Sequence, residues 1–365
     1  MNFVNLDSIA RHVVTNVRAA PAATVAAQLA RRAGVGAFGT LPEGGVATHT
    51  PFDLASVTKP FVALTAVRLA RRRELRLDEA LGDLLPSVRG SPSADVPLDL
   101  FLSHRAGLVA HQPLFEAAIR GAPLTAEEGA LRAAHARRSE CTGAAPREGF
   151  PPVYSDMGFM LVGRALVERS GLELDELVRR EVTEPLGVAD RVGSARQLRR
   201  SLPGFDARVA PTEVVTWRGG VVRGEVHDEN AMMLSGEGLS GHAGLFGDAP
   251  SVLAVGVALL EATRRDLGWL GPAELAVLTQ PRPGGTLLAG FDGRSPDKPS
   301  SGSRVSDATF GHLGFTGTSL WIDPIHEFVG VLLTNRVHPT REHLAIREAR
   351  PAAYDAMFDA LSSSE

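Results

Sequence analysis

Ser56 and Lys59 stand three residues apart in Ser56-Val57-Thr58-Lys59. On a helix that spacing puts the hydroxyl and the amine one turn apart on the same face. A serine hydroxyl is a poor nucleophile until a neighbour takes its proton, and a lysine can take it once burial disfavours its charged form. The lysine is informative here. Of 38 basic residues only Lys59 and Lys298 are lysines, and arginine, which stays protonated in proteins, cannot do this work. The same spacing recurs at Ser295-Pro296-Asp297-Lys298, but prolines at 296 and 299 and glycines at 293 and 302 forbid a helix there. After Ser56 a helical apolar run follows at once (Phe61, Val62, Leu64, Thr65, Val67, Leu69), with Pro60 in the first turn, where a missing N–H leaves nothing unsatisfied. Ser56 therefore stands near the positive end of a helix, which suits a reaction that develops negative charge. The competing reading is an N-cap serine with a surface lysine; the rarity of lysine and the flanking Asp53-Leu54-Ala55 favour the chemistry.

The segment from Phe52 to Lys59 resembles the nucleophile segment of the β-lactamase-related serine hydrolases, which include class C β-lactamases, penicillin-binding DD-peptidases and β-lactamase-like esterases. The resemblance implies two further motifs in order. The first, Tyr-x-Asn opening a helix, is matched by Tyr154-Ser155-Asp156, and the chain has only two tyrosines. Tyr154 would relay the proton between Ser56, Lys59 and the leaving group, with Ser155 the second candidate. Asp156 departs from the family's asparagine and is expected to hold Lys59 charged in the resting state. The second, Lys/His-x-Gly on a strand near the carboxyl end, is matched by His312-Leu313-Gly314. Gly314 lets the backbone approach substrate closely. The resemblance assigns the oxyanion hole to the backbone N–H groups of Ser56 and Phe315, and gives His312 the task of polarising the site or steadying the tyrosine. Leu313 replaces the threonine common in enzymes that grip a substrate carboxylate. Two more stretches look like this family: Leu100 to Leu108, read as a structural loop under the nucleophile, and Gly241 to Gly247, which with Val226-His227-Asp228 borders the pocket.

Other patterns fail on context. Gly34-Val35-Gly36-Ala37-Phe38-Gly39 has dinucleotide-fingerprint spacing but runs into a Pro-Glu-Gly-Gly turn instead of a helix. Among eleven histidines there is no H-E-x-x-H pair, and Pro339 intervenes between His338 and His343, so no metal site is expected. No G-x-S-x-G elbow occurs.

The elements that must position these residues follow from periodicity. Residues 6–18 read as an amphipathic helix, and 23–30 and 34–40 as strands. Residues 60–73, 126–138, 157–170 and 173–181 read as helices. Beyond 204 the pattern turns to β-runs and glycine loops, with Ser319–Asp323 and Phe328–Thr334 as a hairpin. A final helix is expected from Thr340, with a kink at Pro351, and 282–303 as a mobile loop. Strands at both ends around a helical middle give an α/β (α+β) fold. The resemblance implies a β-lactamase/penicillin-binding-protein-like arrangement: an antiparallel sheet flanked by helices with an inserted, mainly helical domain. The expected division is 1–59 with 205–365 for the sheet and 60–204 for the helices, the site lying in the cleft between.

Composition bounds the rest. The 365 residues carry a net charge of −4, so no global positive field holds nucleic acid. A single cysteine, Cys141, excludes an intramolecular disulfide. No apolar run is long enough to span a bilayer, and no leader pattern opens the chain, so a cytoplasmic location is expected. The expected function is a serine hydrolase acting through an acyl-enzyme on a small ester or amide, without cofactor or metal. β-Lactam or DD-peptidase activity would be weak, and acyl transfer and oligomeric state stay open. The alternative is a non-catalytic ligand-binding or regulatory protein on the same fold.

Overall fold

The computed structural model describes residues 2–362. Its main sheet is built from β1 (Asn2–Asn5), β2 (Ala22–Leu29), β3 (Arg32–Leu41), β7 (Asp292–Gly293), β8 (Phe310–Leu313), β9 (Ser319–Asp323) and β10 (Phe328–Thr334). The strand order is β1-β3-β2-β10-β9-β8-β7. Only β1 pairs in parallel, with β3; the remaining neighbours are antiparallel. Both ends of the chain thus meet in one sheet, with β2 against β10 in register from Ala23↔Thr334 to Leu29↔Phe328. A smaller sheet joins β4 (Phe52–Asp53) and β5 (Val192–Ser194) to the two sides of β6 (Leu245–Gly247).

Alternation along the strands divides two cores, because successive side chains point to opposite faces. Val329, Val331 and Leu333 of β10, with Leu320 and Ile322 of β9, enter the larger core. Phe328, Leu332 and Trp321 enter the smaller one. On the first face lies α5 (Ala249–Ala262), and Gly256 lets it approach: a Cβ there would come within 2.6 Å of Val329. On the second lie α1 (Asp7–Arg11), continued by a wider turn over His12–Asn16, and α6 (Ile346–Ser362). The larger core extends into the helical segment, where α2 (Thr58–Arg71) and α4 (Asp156–Ser170) are buried on nearly all sides and α3 (Ala126–His135) packs against α4.

Three expectations need correction. Residues 249–262 and 272–279 are helices. The run Val252-Leu253-Ala254-Val255 is apolar even at Ala254, which is exposed, so the polar face that would mark the helical period is missing there; the surviving signals are the Asp248 cap and Pro250 in the first turn. The last helix begins at Ile346, six residues later than expected, and runs through Pro351. The stretch 282–303 is pinned at both ends: Arg282 forms a two-pronged pair with Asp99, and the Asp355 carboxylate accepts the Ser303 N–H. Among the described residues no helix is long and apolar enough to cross a membrane.

Candidate active site

The nucleophile segment is shaped by Asp53. Its Oδ1 accepts the Ala55 N–H at 2.7 Å and its Oδ2 accepts the His227 N–H at 2.7 Å. Ala55 takes a φ of 47°, a left-handed conformation that costs an L-residue energy and that this clamp maintains. The chain turns there out of β4, makes one tight turn over Ala55–Val57 and enters α2. Ser56 is left at the helix's amino-terminal end, on the wall of a pocket of about 920 Å³.

Lys59, fully buried in the first turn of α2, directs Nζ to three acceptors. These are Ser56 Oγ at 2.8 Å, Asp156 Oδ1 at 2.8 Å and the His242 carbonyl at 3.4 Å. Three acceptors match the three hydrogens of an ammonium. Burial alone would lower the pKa of Lys59, but the Asp156 carboxylate and Tyr154 reverse that and leave it raised. Desolvation likewise opposes ionisation of Asp156, yet the Lys59 charge and the nearby His111 hold its carboxyl far below the usual carboxylate range. The resting pair is therefore ammonium and carboxylate, as the Asp156 departure implied.

Tyr154 and Asp156 are brought in by the start of α4. Ser155 caps that helix: its Oγ accepts the Gly158 N–H at 3.3 Å and donates to the Val109 carbonyl at 2.6 Å. Its hydroxyl is thereby committed, which leaves Tyr154 facing the nucleophile. The phenol lies beside Lys59, whose Nζ is 4.7 Å from the ring centroid; desolvation raises its pKa and Lys59 only partly offsets this. Its ring lies 4.7 Å from that of His104 and 5.9 Å from that of His312. Both histidines are pushed down to about 3, first by burial and then by the Lys59 charge, so both are neutral. His312 Nδ1 donates to the Leu313 carbonyl at 2.8 Å, which leaves Nε2 as an acceptor.

The third segment is docked onto the first. Thr316 Oγ1 donates to the Asp53 carbonyl at 2.7 Å and Thr318 Oγ1 to the Leu54 carbonyl at 2.9 Å. Gly314 is required by this contact, since a Cβ there would lie 1.9 Å from Thr318 Oγ1 and 2.5 Å from the Leu54 carbonyl. Phe315 follows on the pocket wall, its half-exposed ring stacked on His227. Ser56, Tyr154, Asp156, His312, Gly314 and Phe315, dispersed over some 260 positions of sequence, all line the one pocket, with Lys59 directly behind Ser56. Lys298, in the discarded second match, does not line it.

The chain also brings in groups that spacing did not reveal as site residues. His111 lies 3.6 Å from Asp156, which raises its pKa. His242 is held by Asp228 at 2.8 Å while its carbonyl meets Lys59. Among the described residues no group of three or more His, Cys, Asp or Glu is placed to hold a metal ion.

A family model for beta-lactamases matches residues 12–354. The chain belongs to the beta-lactamase family. Within that family, a protein of Escherichia coli (strain K12), provisionally named a D-alanyl-D-alanine carboxypeptidase, is 29% identical over 322 residues, covering 80% of this chain and 70% of the relative. Among solved structures, EstCE1, described as a hydrolase with promiscuous acyltransferase activity, superposes with a TM-score of 0.70 at 20% identity, over 95% of this chain and 97% of the other. Simvastatin synthase (LovD) from Aspergillus terreus gives 0.71 at 18% identity, over 98% of each. At that identity the superpositions establish a shared fold, a beta-lactamase-family sheet flanked by helices, over nearly the whole chain. Family and relatives together support a serine hydrolase-like function.

Proposed function

We propose that this chain is a serine hydrolase that acts through an acyl-enzyme on an ester or amide. The carrying observation is the 2.8 Å approach of the buried Lys59 amine to Ser56 Oγ on the wall of the pocket. Ser56 Oγ attacks the substrate carbonyl carbon and its proton passes to the Lys59–Tyr154 pair. Backbone N–H groups of Ser56 and Phe315 stabilise the oxyanion. The pair returns the proton to the leaving alcohol or amine, and water or another acceptor then releases the acyl group. With Lys59 charged at rest, the pair must shed one proton before it can accept that of Ser56; the two groups titrate as a unit. His312, neutral, steadies the Tyr154 ring. The working cleft lies between the sheet unit 1–59 with 205–365 and the helical unit 60–204.

Esters and amides are favoured over β-lactams because Leu313 supplies no hydroxyl for a substrate carboxylate. The names of the solved neighbours, a hydrolase with acyltransferase activity and a synthase, support keeping acyl transfer within the same chemistry. The test is hydrolysis of 4-nitrophenyl esters. Wild type should turn them over, and Ser56→Ala should lose at least about 10³-fold in kcat. Equal rates in both would overturn the proposal. Saturable binding without turnover, unchanged in Ser56→Ala, would establish the ligand-binding alternative, which the Lys59–Asp156 ion pair favours.

A further inference from the structure

The peptide group between Gly314 and Phe315 has two ends. Its N–H belongs to Phe315, the proposed oxyanion donor, and its carbonyl belongs to Gly314. That carbonyl receives Arg350 Nη2 from α6 at 2.7 Å, as well as the Gly317 N–H at 3.1 Å. The same Nη2 reaches the Thr318 carbonyl at 3.1 Å, and that carbonyl also accepts the Gly314 N–H at 2.8 Å. Arg350 therefore clasps the neck of the turn that carries Phe315.

Neutral donors would suffice for a clasp. Arg350 is 8% exposed and lines the pocket, and among the described residues it has no carboxylate partner. Its Nε is buried without a hydrogen-bond partner. By contrast, the pocket's Arg341 is paired with Glu213 and Glu229. Burying an uncompensated guanidinium is costly, and burial lowers its pKa to about 10, which still leaves it charged at neutral pH. Arg336, also buried, donates from Nε to the Phe315 carbonyl at 2.7 Å; that carbonyl belongs to the next peptide, so Arg336 holds the turn while Arg350 alone acts on the Gly314 carbonyl. A cation on the carbonyl end of an amide draws electron density from its N–H and makes that N–H a stronger donor.

We infer that Arg350 is a positioning residue for acylation, which polarises the Gly314–Phe315 peptide so that the Phe315 N–H meets the developing oxyanion as a strengthened donor. The inference rests on the proposed serine-hydrolase reading. Its use of charge lies in the transition state, where the negative charge appears, so it should affect rate more than ground-state binding.

The test measures the rate at which a fluorophosphonate labels Ser56 in wild type, Arg350→Gln and Arg350→Lys, with melting curves for each and with kcat and KM on a 4-nitrophenyl ester. Arg350→Gln should be labelled about 10- to 100-fold more slowly, with kcat falling by a similar factor and KM changing less than about threefold. Arg350→Lys, which keeps the charge, should recover to within about fivefold of wild type. Wild type that is labelled at Ser56 while folded Arg350→Gln is labelled at the same rate overturns this inference and leaves the hydrolase reading intact. Wild type that is not labelled overturns both. Should Arg350→Gln not fold, a folded Arg350→Lys as slow as about 30-fold below wild type also overturns the inference, because the charge is retained.

Discussion

The Lys59–Asp156 pair sets the chemistry at the scale of single residues. The carboxylate raises the lysine's pKa, so the base form is scarce at neutral pH and kcat/KM should climb into the alkaline range. Replacing Asp156 by Asn removes the charge that holds the proton, which lowers the pKa of Lys59. The rise in the kcat/KM profile of Asp156→Asn should then move to lower pH by about one unit or more; an unmoved profile would show that Asp156 does not set it. Tyr154→Phe should cost roughly 10²- to 10⁴-fold in kcat, because the relay oxygen is gone while the ring still packs against His104. Ser56 and Lys59 were legible from a spacing with a mechanical reason, whereas Tyr154, Asp156, His312, Gly314 and Phe315 were found through motifs that the family resemblance implied; the fold brings all seven to one pocket. Arg350, His104 and His111 were not legible. Arginine is common in this chain and a lone histidine carries no spacing signal, so their roles come from contacts 36, 51 and 45 positions away in sequence.

The elements matter through how tightly the third motif presses on the first. Gly314→Ala would drive a methyl into Thr318 Oγ1 and the Leu54 carbonyl. The turn carrying Phe315 must then lift away from Ser56, and kcat should fall by about 10²-fold or more while far-ultraviolet circular dichroism stays that of wild type. Retained activity would mean that the 314–318 turn does not position an oxyanion donor. Strands 23–30, 34–40, Ser319–Asp323 and Phe328–Thr334 were read correctly in outline, since β-branched and small residues bounded by turn residues leave a clear pattern. The short strand Asn2–Asn5 was missed and absorbed into the approach to the first helix. Helix Ala249–Ala262 was missed because apolar residues continue onto its exposed side at Ala254, which blurs the amphipathic period by which helices are recognised.

Across the whole molecule, acid should unfold this protein in two stages. His104 and His312 are held neutral down to about pH 3, below their ordinary 6.5, so the unfolded chain binds more protons between those limits. Stability is therefore lost as pH falls below about 6.5, by roughly 1.4 kcal/mol per pH unit per histidine. Glu213 and Asp228, lowered to about 2 despite burial by His227 and Arg341 and by His242, contribute stability above their ordinary 4.5 and 3.8 that is lost below them. Melting temperatures should decline from pH 6.5 and more steeply below 4.5, and His104→Gln should flatten the first limb. A flat curve from 6.5 to 4.5 in wild type would contradict the buried neutral histidines. The architecture as a whole, an α/β unit with an inserted helical segment, was read from strands at both chain ends around a helical middle; the family resemblance added the antiparallel sheet and the site in the cleft. The most direct measurement of the central claim is intact mass after treatment with a fluorophosphonate, on wild type and Ser56→Ala. One phosphonyl adduct on the wild type and none on Ser56→Ala is the expected result; a folded wild type with no Ser56-dependent adduct would contradict an activated serine on the wall of this pocket.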